Sequence, residues 1–143
     1  MKIIVDTNII FSAILNTNGI IGEIIFDSDA VFEFYSCSYM RYEIDKHWSK
    51  LKRISKLSDE DIKESLFRIF TKIHFINEDL IPSKIWLKAE ALMSLVDIDF
   101  VALTTYMDGI LWTGDKALYN GLKKKGFKKV LNTQELLKIK LSQ

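Results

Sequence analysis

Residues 1–12 read MKIIVDTNIIFS, and the change from apolar to polar and back within them decides the fold. Ile3, Ile4 and Val5 form a β-branched run of the kind that fills a parallel strand buried on both faces, so residues 2–5 are expected to be a strand. The run stops at Asp6, with Thr7 and Asn8 behind it, and Ile9, Ile10, Ala13 and Ile14 then recur at helical spacing. A strand, a polar turn and a helix follow, with Asn8 or Thr7 as the helix cap. Parallel sheets bind ligands at the carboxyl ends of their strands, and Asp6 stands at such an end. Alone there, it reads as a cap or as a ligand for something positive.

The chain has 143 residues, 48% hydrophobic and 27% charged, with a formal charge of +1. Length and composition suit one globular domain, residues 1–143, and the charge balance means that any polyanion site must be local. Cys37 is the single cysteine, which excludes an internal disulfide and fits a reducing compartment. Asp6, Asn8 and Asn16 interrupt what would be the apolar core of a secretory signal. No apolar run approaches the roughly 20 residues that a membrane span needs. A soluble, cytoplasmic protein with no membrane partner is expected.

Strand-like and helix-like stretches alternate along the rest of the chain. Residues 20–26 read as a helix and 31–35 as a strand. A long helix capped by Ser38 runs to about residue 52, its apolar stripe formed by Met40, Ile44, His47, Trp48 and Leu51. Ser58 followed by three acids starts another helix. Residues 72–76 read as a strand, and Glu78 and Asp79 as an acidic loop. Pro82 and Ser83 open a helix with Ile85, Ala89, Leu92 and Met93 on its inner face. Residues 100–107 form a short helix, 110–112 a buried strand, 117–122 a helix ended by Gly126, and 129–131 a last strand before a helix capped by Thr133. The pattern predicts a three-layer α/β/α sandwich on a mostly parallel sheet. Tyr35, Tyr39, Trp48, Trp86 and Trp112 read as core.

Four acids stand where a purely structural role is strained: Asp6 after the first strand, Glu43 on a core-edge helix face, Asp97 before a helix and Asp115 after a late strand. If the first and late strands are neighbours, Asp6 and Asp115 emerge side by side; if a helix begins at Asp97, that residue faces inward with Phe100, Val101 and Thr104, and Asp99 points away. Carboxylates that converge in a dry cleft raise one another's pKa unless a cation neutralises them. Mg2+ or Mn2+ suits an all-oxygen set, whereas two histidines and one cysteine offer no zinc spacing. Glu43 alone fits equally a pair with His47 or Arg41, and His47 reads as a packed structural residue.

VDTNIIFSAI at the start, Glu43 in a helix after the second strand, DxxFVAL at 97–103 and LWTGDKAL at 111–118 together resemble the PIN-domain family, which contains the VapC-like toxin ribonucleases. The resemblance runs over essentially the whole chain, with its motifs in order. It implies that Asp6, Glu43, Asp97 and Asp115 are the acidic metal-binding and catalytic residues, with Asn8 and Thr113 as polar supports. It further implies RNA as substrate, a small antitoxin as protein partner, and a homodimer. Only Ile98 and Asp99 separate Asp97 from Phe100, so a shortened loop hands the ligand role to Asp99 or disables the site. Lys116, next to Asp115, is the foremost candidate for contacting a substrate phosphate.

Two functions from different classes follow. One is a ribonuclease in which Mg2+ or Mn2+ activates a water and Glu43 or Asp97 takes its proton. The other is a catalytically impaired PIN fold that binds RNA or protein. A phosphatase with Asp6 as covalent nucleophile ranks last, because Asn8 stands where such enzymes carry a second Asp.

Overall fold

The computed structural model describes residues 1–92 and 98–143. Its centre is β1 (Lys2–Val5), in which Ile3, Ile4 and Val5 are fully buried. Flanking it are β2 (Glu33–Cys37), β3 (Ile73–Ile76), β4 (Ile110–Trp112) and β5 (Val130–Leu131), in the order β3-β2-β1-β4-β5. Every pairing is parallel, with Ile4 opposite Tyr35 on one side and Leu111 on the other. A parallel sheet must be covered on both faces, which the three-layer α/β/α arrangement achieves.

The covering helices are α1 (Thr7–Leu15), α2 (Ile20–Phe26), α3 (Tyr39–Lys46), α4 (Trp48–Ser55), α5 (Asp59–Phe70), α6 (Ser83–Leu92), α7 (Ile98–Met107), α8 (Lys116–Lys124) and α9 (Thr133–Leu141). The apolar helix α7 packs on β1, β2 and β4, whereas α1 packs against α2, α3, α4 and α5. From β1 the chain builds outward through β2 to β3, then crosses back to β4 and β5 on the far side. The order therefore reverses between β1 and β4, and ligands of open α/β sheets bind at the carboxyl end of such a reversal. Among the described residues, no single helix is long and apolar enough to cross a membrane.

The structure corrects several local expectations. The cap of α1 is Asp6, whose Oδ1 accepts the Ile9 N–H at 3.0 Å, and neither Thr7 nor Asn8 takes that role. Asn132 caps α9 in place of Thr133, in a reciprocal box with Glu135. The Thr133 hydroxyl instead accepts the indole N–H of the buried Trp112 at 3.0 Å. Strand β2 begins at Glu33, because the Val31 and Phe32 N–H groups are turned onto the Ser28 carbonyl and pairing with β3 carries the strand on to Cys37.

The long helix predicted after Ser38 breaks at His47, which ends α3 and begins α4. Trp48, next in sequence, donates its indole N–H to Asp59 at the start of α5, at 2.8 Å. His47 is exposed rather than packed, Tyr39 is 39% exposed rather than core, and Ser38 makes no side-chain cap.

Candidate active site

Asp6 is the first residue beyond β1 and is 4% exposed. Its position is dictated locally: the strand ends at Val5, the helix begins at Thr7, and the carboxylate between them caps the free N–H of Ile9. The neighbouring Thr7 hydroxyl donates to Oε1 of Glu43 at 2.8 Å, which ties α3 to the end of β1. Ser36 donates to the Val5 carbonyl at 2.8 Å and locks β2 to the same point. Glu43 therefore pairs with neither His47 nor Arg41. The Arg41 guanidinium lies over the Phe75 ring, 4.1 Å from its centroid.

Two further acids join Glu43. Glu78 follows β3 and accepts the Tyr39 N–H at the start of α3. Asp99, in the first turn of α7, is half-buried, and its carboxyl is pushed up from the ordinary aspartate value by burial first, then by the charges of Glu78 and Glu43. This overturns the expectation that Asp99 faces away. The thiol of buried Cys37 is also pushed up, by burial and then by Asp99 and Glu78, so it is no nucleophile. Glu78 escaped the sequence reading as a plain loop residue. Its signal was the same strand-then-acid punctuation that marks Asp6 and Asp115.

On the other side of β1, Val5 is level with Trp112, and the Asp6 N–H reaches the Trp112 carbonyl at 3.4 Å. This register sets Asp6 beside Thr113, which is 1% exposed. The Thr113 hydroxyl accepts the Asp115 N–H at 3.1 Å, and Asp115 Oδ1 caps α8 through the N–H groups of Ala117 and Leu118 at 2.9 and 3.1 Å. Lys116 is exposed beside Asp115, in a polar groove of about 410 Å³ shared with Tyr119 and Asn132. Asn8 is exposed on α1, on the rim of a second groove that includes Glu43. Asp97 lies outside the described residues.

Thus the charges of Glu78 and Glu43 both reach Asp99, while Asp6 is followed by the Thr7 that holds Glu43, and Asp115 follows the next strand. Among the described residues, no three acid, histidine or cysteine side chains are placed to hold one metal ion between them. The donor set is nonetheless all oxygen, and Asp99 is raised by burial first and then by the two neighbouring carboxylates. Both fit a hard divalent cation that keeps several waters and takes one or two protein carboxylates.

Acids along the carboxyl edge of a parallel sheet stand where α/β folds of this kind bind their ligands. The PIN domain family model matches residues 4–138, and the chain belongs to that family. PIN domains are generally nucleases and typically use divalent metals. Among solved structures, the fold is similar to a chain of VapBC2 from Rickettsia felis, solved bound to a DNA fragment from their promoter. That likeness has a TM-score of 0.68 at 15% identity and covers 92% of this chain and 98% of the other. A PilT N-terminus domain protein from the archaeon Sulfolobus solfataricus P2 is similar with a TM-score of 0.51 at 14% identity, covering 100% of this chain and 96% of that one. No curated protein matches the sequence.

Proposed function

We propose that the protein is a metal-dependent ribonuclease, with Asp6, Glu43, Asp97, Asp99 and Asp115 as the acidic set. The observation that carries this reading is the Thr7 to Glu43 hydrogen bond, which ties the Glu43 carboxylate to the residue that follows Asp6 at the end of β1. Asp6 with Glu43 or Asp99 would hold Mg2+ or Mn2+ together with waters, and the ion would supply Lewis acidity and charge neutralisation at the phosphodiester. Glu43 or Asp97 would take the water's proton, and the Thr7 hydroxyl would orient Glu43 for it by holding Oε1. Asp97 stays in the set on the family resemblance. Asn8 and Thr113 support the acids; Thr113 does so through the backbone of Asp115. Lys116 meets a substrate phosphate at the edge of the polar groove.

The PIN family membership and the likeness to a VapBC2 chain support a toxin role with a small antitoxin as partner, and a homodimer is the assembly we infer from the family. The test is cleavage of single-stranded RNA in Mn2+ or Mg2+, with a chelator control and a Glu43→Gln variant. Metal-dependent cutting that the variant loses supports the proposal. RNA bound but left intact in either metal makes the chain a binding module instead.

A further inference from the structure

Next to Glu43 a groove of about 310 Å³ opens between α1 and α4, and the acid chemistry does not use most of it. Its floor is aromatic: the rings of Phe11 and His47 meet edge to face, 6.4 Å apart at 85°. Ile54 of α4, 52% exposed, forms an aliphatic wall, and Lys50 supplies a positive charge. The bonded pair Thr7 and Glu43 closes the acidic end.

We propose that this groove is a nucleobase subsite, holding one unpaired base of the RNA beside the bond to be cut. The proposal rests on the nuclease reading of the adjoining acids. The volume is at the lower end for small-molecule sites, which suits one planar heterocycle and excludes a duplex. Aromatic and aliphatic walls stack on a base, and Lys50 offsets the phosphate attached to it. On α3, Tyr39 stands one turn before Glu43, so the two share one face, and His47 lies at the end of that helix. Tyr39 stacks on Tyr42 with centroids 5.5 Å apart, and Tyr42 is 58% exposed. Aromatic surface therefore lies on both sides of Glu43, as a strand of unpaired nucleotides crossing the acid requires.

The experiment uses a labelled single-stranded RNA octamer and a set in which one base at a time is replaced by an abasic ribose. Binding is read by fluorescence anisotropy in Ca2+ and cleavage by single-turnover rates in Mn2+, for the wild type and for His47→Ala and Phe11→Leu. Stacking of one base predicts that a single abasic position weakens wild-type binding about fivefold or more. His47→Ala should cost a similar factor on intact RNA and nothing further on the sensitive abasic RNA. His47 is exposed, so this variant keeps its fold even if Phe11→Leu, within the partly buried shell, does not.

The subsite is overturned if no abasic position matters, or if the variants lose the same factor on intact and abasic RNA. A groove that serves only a protein partner gives that result. Cleavage with no abasic effect removes the subsite and leaves the nuclease. Abasic-sensitive binding without cleavage removes the nuclease and leaves the subsite. An RNA neither bound nor cut removes both.

Discussion

Asp6 has two duties that one pair of substitutions separates. Its Oδ1 caps α1 through the Ile9 N–H at 3.0 Å, and its charge is assigned to the divalent ion. Asparagine caps a helix about as well as aspartate, so Asp6→Asn removes the charge and keeps the cap. Asp6→Ala removes both and leaves the buried Ile9 N–H without that acceptor, at a cost of about 1–3 kcal/mol. In urea titrations, Asp6→Asn should stay within about 0.5 kcal/mol of the wild type while Asp6→Ala falls by about 1–3 kcal/mol. In single-turnover RNA cleavage with Mn2+, both should lose about a hundredfold or more, the scale of removing one preorganised electrostatic contact. Two results refute the reasoning. If Asp6→Asn cuts at the wild-type rate, the charge does no chemistry. If it is as unstable as Asp6→Ala, the cap is not what the carboxylate contributes to folding.

Thr7→Val deletes the donor to Glu43 while keeping the shape, and cleavage should fall about tenfold with only a small change in stability; Thr7→Ser should restore it, and equal rates in all three would end the positioning role. Glu135 is held below the ordinary glutamate range: burial raises it, but the Tyr119 hydroxyl, the Asn132 N–H and the nearby Lys123 and Lys138 outweigh that. A depressed carboxyl stabilises the fold above its unfolded value and loses that contribution as pH falls through the folded one. The stability gap between the wild type and Glu135→Gln, followed by denaturation at several pH values, should therefore be constant near neutrality and close at acid pH. Lys56 ends α4 in the left-handed conformation with φ 59°, so Lys56→Gly should raise stability by about 0.5–1 kcal/mol in thermal melts, and a loss would show that the lysine side chain holds the turn.

The sheet was legible because its centre is written in the plainest code available. Residues 2–5 and 110–112 are short apolar runs closed by polar turns, and both are strands with those bounds. The caps were harder, since Asp6, Thr7 and Asn8 are all competent and periodicity does not choose among them. At the last helix the choice was readable: Glu135 stands three residues after Asn132, the spacing of a capping box, and not after Thr133. The partners of the acids were out of reach. Thr7 and Glu43 are 36 residues apart, and the charges of Glu78 and Glu43 reach Asp99 only because α7 lies across β1 and β2. The helix break at His47 was hidden because Met40, Ile44 and Leu51 keep helical spacing straight through it.

On the nuclease and subsite proposals, that break sets the acid and the base-holding groove on separate levers. Glu43 sits before the interruption and is pinned to the first strand, whereas Lys50 and Ile54 ride on the segment after it. Substitutions in the second segment can reshape the slot against Phe11 without loosening the acid.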